Sequence, residues 1–199
     1  LEILGSTRTK DLTGERFLIT VGATREEIDP VRFISNRSSG RMGFALAEAA
    51  VRGGGEVTVV AGTTSVAPPS GVRVVQAMSA EEMSQAVTRE RENASVFIGA
   101  AAIADYRPVE RADQKIKKSQ DSITLTLERT PDVLSQVAAS ETNGMLVIGF
   151  AAETENVLAN AREKLRSKKL DAIIANDVTR EDSGFDSATN AITIITTDG

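Results

Sequence analysis

The sequence predicts an α/β fold in which helices cover both faces of a mostly parallel sheet. Short apolar runs of strand length alternate with longer segments whose apolar residues have helical spacing. The composition supports this class, because 41% of the 199 residues are hydrophobic but only 4% are aromatic, as in sheets built from Val, Ile, Leu and Ala. A chain of this length is most economically interpreted as one domain.

Seven apolar runs are the predicted strands, at residues 17–21, 57–61, 72–75, 96–100, 146–150, 172–175 and 192–195. The helical patterns lie between them, at residues 43–53, 79–92, 131–140 and 153–169. Capping patterns mark two helix starts, Ser79 with Glu82 and Thr130 followed by Pro131. Residues 1–15 have no sustained period and are interpreted as a linker, which leaves 16–199 as a Rossmann-like domain.

Residues 106–130 interrupt this alternation of strands and helices. A polar, lysine-rich stretch is followed by residues 123–128, in which apolar and polar side chains alternate as in a half-buried strand. Such a strand needs a partner surface, so we predict a protruding β-arm. The alternative is an antiparallel edge strand added within the monomer.

Composition excludes several classes of chemistry. The chain has no cysteine and no histidine, which removes serine-triad, cysteine-protease and zinc-hydrolase mechanisms in their usual forms. A net charge of −5 argues against broad nucleic-acid binding. No apolar stretch approaches the roughly 20 residues that span a bilayer, so we expect a soluble, cytoplasmic protein without a membrane partner.

The turn after the first strand indicates an anion site. Gly40 and Gly43 open an apolar helix, and the backbone N–H groups and dipole at such a helix start favour a phosphate or carboxylate. An NAD(P)-binding oxidoreductase is one alternative for this pattern. It is disfavoured because the glycine spacing differs from the dinucleotide fingerprint and the second strand ends, at Thr64, without the acidic residue that holds a ribose.

Residues 24–36 read Thr-Arg-Glu-Glu-Ile-Asp-Pro-Val-Arg-Phe-Ile-Ser-Asn, and this run resembles phosphopantothenoylcysteine synthetase, the ligase half of the bacterial bifunctional coenzyme A biosynthesis protein. Further segments agree in order and spacing, at residues 99–107, 115–118, 149–154 and 175–177. The resemblance implies a ligase that joins 4′-phosphopantothenate to L-cysteine with CTP and Mg²⁺, through a phosphopantothenoyl-cytidylate. It also implies a homodimer, no flavin in this chain, and a flavin-dependent decarboxylase domain in the full-length protein.

Three residues are implied as catalytic by the same resemblance. Asn36 contacts the acyl-nucleotide intermediate, where a neutral amide can donate a hydrogen bond to developing negative charge. Arg32 binds a phosphate or carboxylate of the substrate, and Lys115 stabilises charge from a mobile flap within residues 106–130. From the residues alone, the alternatives are a capped turn at Ser35-Asn36 and a solvated run of lysines at 115–118.

The resemblance further implies that Lys115 contacts the nucleotide together with Gly99, Ala100, Ala101, Asp105, Pro131, Asp132, Val133, Leu134, Phe150, Lys164 and Lys168. The anion argument adds Gly40 and Gly43 to these contacts. Asn176 and Asp177 are weaker candidates. Tight helix–sheet packing is the alternative explanation for Gly99 and the alanines after it. A catalytically silent dimerisation or regulatory module remains the second alternative for the chain as a whole.

Overall fold

The computed structural model describes residues 10–118, 121–141, 144–153, 155–177 and 192–197. Its elements, in chain order, are β1 (Arg16–Val21), β2 (Arg25–Glu27), β3 (Phe33–Ser35), α1 (Arg41–Arg52), β4 (Glu56–Ala61), β5 (Val72–Gln76), α2 (Ala80–Glu90), β6 (Val96–Gly99), β7 (Tyr106–Pro108), β8 (Leu127–Arg129), α3 (Val133–Ala139), β9 (Leu146–Glu153), α4 (Val157–Ser167), β10 (Ala172–Asp177) and β11 (Ile192–Thr196).

Seven of these strands form one sheet in the order β11-β10-β9-β6-β1-β4-β5, and β11 alone runs antiparallel to its neighbour. Successive residues of central β1 face opposite sides, so Leu18 enters one apolar core and Ile19 enters the other. Helices supply the far walls of both cores, with Met83 of α2 in the first and Phe44 of α1 in the second. The predicted fold class, with helices on both faces, is confirmed.

Two predicted helix starts needed correction and one was confirmed. Ser79 and Glu82 form the expected capping box at α2. Helix α3 is capped by Asp132, whose side chain accepts from the Ser135 amide, so Thr130 is not its cap. Helix α4 begins at Val157 rather than at residue 153, because β9 keeps pairing with β10 as far as Glu153. No helix in the described ranges is long and apolar enough to cross a membrane.

Two small antiparallel sheets of two strands each, β2–β3 and β7–β8, lie outside the main sheet. The strand expected at 123–128 is shorter and shifted, since only Leu127–Arg129 is a strand and its partner is β7 of the same chain. One further bond, from the Val109 amide to the Thr126 carbonyl at 3.0 Å, extends this ladder. Pairing of the arm with a second copy stays a prediction.

Candidate active site

A cavity of about 430 Å³ lies beyond the carboxyl ends of β1, β6 and β9; we call it the strand-end cavity. Parallel strands deliver their last residues to one edge of the sheet, which is where open α/β sheets bind ligands. Ten residues expected from the sequence to contact a nucleotide line it: Gly99, Ala101, Asp105, Pro131, Asp132, Val133, Leu134, Phe150, Lys164 and Lys168. The fold therefore brings together residues that are spread over 70 positions of the sequence.

Leu134 of α3 packs over a pair of glycines at the edge of this cavity. Gly99 of β6 and Gly149 of β9 are register partners on adjacent strands. A Cβ at Gly99 would lie 3.3 Å from Leu134 Cδ1, and one at Gly149 would lie 2.9 Å from Leu134 Cδ2. The glycines therefore serve tight helix–sheet packing, the alternative considered for this segment, and Gly99 also lines the cavity.

Two lysines of the cavity wall have partners within the protein. Lys168 Nζ lies 2.6 Å from Asp132 Oδ2, which ties the end of α4 to the start of α3. Lys164 Nζ donates to the Phe150 carbonyl oxygen at 2.9 Å. Each lysine thus contacts a segment that the sequence had associated with the nucleotide. The charge of Lys168 is partly neutralised by the carboxylate of Asp132.

Asp132 is an ionised carboxylate at neutral pH. Burial raises its pKa, but the hydrogen bond from Lys168 and those from the Ser135 amide and hydroxyl outweigh burial and lower the pKa below its ordinary value. The same contacts orient Asp132 as the cap of α3. The cavity wall at this point is therefore preorganised by charge as well as by packing.

Seven residues line the cavity that were not singled out from the sequence, although three of them lie within the matching segment at 99–107: Thr20, Phe97, Ile103, Ala104, Tyr106, Arg129 and Thr130. Arg129 matters most for chemistry, because it is exposed and no ion pair joins it to another residue in the described part of the chain. A signal for it was available, since an arginine stands two positions before Pro131, where the implied nucleotide segment begins.

Asn36 contacts the wall of this cavity without lining it. Its amide Nδ2 donates to the carbonyl oxygen of Ile103 at 2.9 Å, and Ile103 is a lining residue. The bond joins positions 67 residues apart, so the side chain bridges two strand-end loops. This contact goes against the alternative in which the amide caps its own turn.

Arg32 and Lys115 lie together at a second cavity of about 740 Å³, which we call the lysine cavity. It is lined by Val31, Arg32, residues 115–118 and residues 121–123. Lys115 is exposed. The guanidinium of Arg32 pairs with Asp29 at 2.8 Å and also donates to the Ile116 carbonyl, so part of its hydrogen-bonding capacity is already used.

Gly40, Gly43 and Ala100 line neither cavity. Gly40 caps α1 with φ 81°, and a Cβ there would lie 2.7 Å from Thr64 Cγ2; a Cβ at Gly43 would lie 2.6 Å from Val21 Cγ2. Ala100 packs against the apolar core that contains Ile19. These residues therefore bring α1 and the strand ends into close contact, and the anion site at the turn stays a prediction.

The turn after β1 is closed by the chain that follows β4. Ala23 and Thr63 exchange two backbone hydrogen bonds of 3.0 and 2.8 Å, and a Cβ at Gly22 would lie 2.4 Å from the Thr63 carbonyl oxygen. Dinucleotide-binding domains keep this position open for a pyrophosphate. The contact disfavours the oxidoreductase alternative.

The two weaker candidates lie at the end of β10, away from both cavities. Asn176 is half-buried there and lines neither of them. The side chain of Asp177 lies outside the described residues, as do the whole of Thr154 and most of the 1–15 segment. A contact between Asn176 or Asp177 and a ligand therefore stays a prediction.

A family model described as the DNA/pantothenate metabolism flavoprotein C-terminal domain matches residues 12–199. The chain belongs to this family. The chain is 50% identical over 192 residues to the coenzyme A biosynthesis bifunctional protein CoaBC of Vibrio cholerae, and the match covers 96% of this chain and 48% of that protein. It is 46% identical over 192 residues to CoaBC of Escherichia coli, with 95% and 47% covered. The chain spans about half the length of the curated relatives it matches.

One solved structure supports the same family assignment, and a second shares the fold. The crystal structure of the C-terminal domain of CoaBC matches with a TM-score of 0.79 and 43% identity over 96% of this chain and 86% of that one. A Cab2 mutant in complex with phosphopantothenate-cysteine matches with a TM-score of 0.77 over 92% of this chain and 77% of that one. At 16% identity, the second likeness concerns the fold alone. The resemblance to the C-terminal half of the bacterial bifunctional protein is confirmed.

Proposed function

We propose that this chain is a phosphopantothenate–cysteine ligase domain of coenzyme A biosynthesis, with CTP as its co-substrate. The observation that carries the proposal is the gathering of ten nucleotide-site candidates around the strand-end cavity. Family membership and the names of the CoaBC relatives support the same pathway. The cavity volume of about 430 Å³ falls in the range of pockets that hold small ligands.

The cavity wall combines the surfaces that a nucleoside triphosphate requires. Leu134 and Phe150 offer apolar contact for a base, and little side-chain bulk stands at Gly99. Arg129, Lys164 and Lys168 offer cationic groups for phosphates. We assign the base to the apolar wall and the phosphates to these three cations.

The first proposed step is activation of the substrate acid. A carboxylate oxygen of 4′-phosphopantothenate attacks the α-phosphorus of CTP, a P–O bond to the β-phosphate breaks, and pyrophosphate leaves. The product is an acyl-cytidylate, a mixed anhydride whose nucleotide half is a good leaving group. Lys115, which lines the lysine cavity rather than the strand-end cavity, is assigned the stabilisation of charge at this centre. The flap within residues 106–130, which carries Lys115, is assigned the exclusion of water from the anhydride.

In the second step, the amine of cysteine attacks the acyl carbon, CMP leaves, and the amine gives up a proton as the amide forms. Asn36 is assigned a hydrogen bond from its amide to the charged acyl-nucleotide. Positioning and charge neutralisation can carry both steps, which suits a chain without histidine or cysteine.

Mg²⁺ is proposed to accompany the triphosphate. In the described part of the chain, no group of three or more His, Cys, Asp and Glu side chains is placed to hold a metal ion. Magnesium commonly binds through substrate phosphates and water with few protein ligands, so the residues present fit a cation that arrives with the nucleotide.

The test is a pyrophosphate-release assay with 4′-phosphopantothenate, comparing CTP with ATP in the presence and absence of cysteine. We expect release with CTP, and formation of the amide product only when cysteine is added. Asn36→Asp should let the cytidylate accumulate, because a carboxylate cannot donate as the amide does, whereas Lys115→Gln should slow its formation. Wild-type turnover in both variants rejects these roles, and saturable NADPH binding without CTP binding favours the oxidoreductase alternative.

For the whole protein, we propose a homodimer that also carries a flavin-dependent decarboxylase domain acting on the ligase product. The CoaBC relatives are bifunctional and about twice as long as this chain. The arm exposes Ile123, Leu125 and Leu127, which are 56%, 37% and 42% accessible in the single chain. Light scattering should give a dimer mass, and a monomer that persists at high concentration contradicts the pairing.

A further inference from the structure

Asp29 is the most completely engaged carboxylate among the described side chains. It is 1% exposed, and its two oxygens take part in four hydrogen bonds or ion-pair contacts. Its Oδ1 accepts from the amides of Val31 and Arg32, both at 2.8 Å. Its Oδ2 accepts from the amide of Ile116 at 3.1 Å and pairs with the Arg32 guanidinium at 2.8 Å. The two oxygens thus join a local turn to a segment 87 residues away.

That distant segment is the one that carries Lys115. Ile116, the next residue, gives its N–H to Asp29 and accepts the Arg32 guanidinium at its carbonyl. On the other side of Lys115, the Ala112 amide donates to the Ile28 carbonyl at 2.9 Å. The backbone is therefore held on both sides of the lysine while its side chain remains exposed.

The charge state of this contact is stable. Burial raises the pKa of Asp29, but the amides of Val31, Ile116 and Arg32 and the Arg32 charge outweigh it and lower the pKa to about 2. Asp29 is consequently an anion throughout the neutral range. An anion is what its four donors require, because a protonated carboxyl would turn one acceptor into a donor.

We propose that Asp29 is a positioning residue for Lys115. With Arg32 and Ile116 it forms what we call the Asp29 clasp, which fixes the Lys115 backbone against the turn at 28–32. The inference rests on the proposed function, since it takes its purpose from the charge-stabilising role of Lys115. It also changes the interpretation of Arg32, whose substitution loosens the lysine segment in addition to any effect on substrate.

Trypsin provides a test that needs no substrate. Cleavage after Lys115 attacks the peptide bond whose nitrogen donates to Asp29, so the clasp must open before the protease can act. In Asp29→Asn, the side-chain oxygen can still serve Val31 and Arg32, but an NH₂ group faces the Ile116 amide. We expect cleavage at this bond to accelerate about tenfold or more, the effect of losing a hydrogen bond to a charged group.

Glu26→Gln is the matched control. Glu26 is also a buried carboxylate, 4% exposed, but its Oε1 accepts from the Ala80 amide at the start of α2. The control therefore perturbs a buried acid three positions away without touching the clasp. Equal acceleration after Lys115 in both variants, at matched global stability, overturns the proposal.

The activity test is a double-mutant cycle in pyrophosphate release. If Asp29 acts through Lys115, Asp29→Asn slows pyrophosphate release in the wild-type background. In the Lys115→Gln background, it should slow release by less than a further factor of about two. Fully additive losses assign Asp29 a general structural role and overturn the inference. If Lys115→Gln alone leaves release unchanged, the proposed role of Lys115 fails, while the trypsin result still decides whether the clasp exists.

Hydrogen exchange on the unmodified protein covers the case in which Asp29→Asn does not fold. The clasp predicts that the Ile116 amide exchanges well below its unstructured-chain rate although its neighbours Lys115 and Lys117 are exposed. Exchange of Ile116 at the unstructured-chain rate overturns the proposal without any variant.

Discussion

Replacing Gly149 by alanine tests the packing that shapes the strand-end cavity. A Cβ at this position would lie 2.8 Å from Leu170 Cδ1 and 2.9 Å from Leu134 Cδ2. Favourable carbon–carbon contacts begin near 3.5 Å, so both leucines must retreat by about 0.6–0.7 Å. Leu134 lines the cavity, and its displacement changes the space available to a nucleotide.

The expected cost follows from two opposing effects. Overfilling a packed site costs about 1–3 kcal/mol. Gly149 does not have a positive φ, so alanine is conformationally acceptable there and recovers about 0.4–1 kcal/mol by restricting the unfolded chain. With mid-range values for both effects, the net destabilisation should be about 1.3 kcal/mol, with weaker CTP binding.

Urea denaturation of Gly149→Ala and Gly99→Ala measures this cost. Gly99 is the register partner of Gly149, but its nearest contact for an added Cβ is 3.3 Å, so its substitution should cost less. Combining Gly149→Ala with Leu134→Ala should lower the cost of the glycine change, because one of the two clashes is gone. A Gly149→Ala protein as stable as wild type, or less affected than Gly99→Ala, refutes the packing argument.

Two further predictions concern charges. Lys168→Gln removes the ion pair with Asp132, whose two side chains are 24% and 51% exposed, so the stability should fall by no more than about 1 kcal/mol. The affinity for CTP, measured by calorimetry, should fall clearly. An unchanged affinity would show that Lys168 does not belong to the site. The folded-state pKa of Asp29, about 2, lies below its unfolded value of 3.8, so its contribution to stability is complete above about pH 4 and is lost as the pH falls towards 2. Urea midpoints measured across this range should decline more steeply in the wild type than in Asp29→Asn, and parallel curves would contradict the assignment.

Local patterns predicted most of the sheet. Residues 17–21 and 57–61 were recognisable because buried parallel strands are continuous apolar runs, and the observed strands agree within a residue. The end of β9 was missed because its last residues pair with β10, a partner that no local pattern identifies. The strand of the arm, expected at 123–128, was misplaced for a related reason, since β8 takes its register from β7.

For the candidate site, too, some features could be predicted from local sequence patterns and others depend on the tertiary structure. The sequence alone predicted that the loop at 24–43 and the segments that begin at Gly99 and Gly149 lie at strand ends, because the order of strands and helices in an α/β chain sends those ends to one edge. Tertiary structure alone decided that Asn36 bonds to Ile103, that Arg129 joins the cavity and that Asp29 holds Ile116. These contacts join residues far apart in the chain, and hydrogen-bond partners at such separations depend on how loops pack rather than on any periodic pattern of side chains.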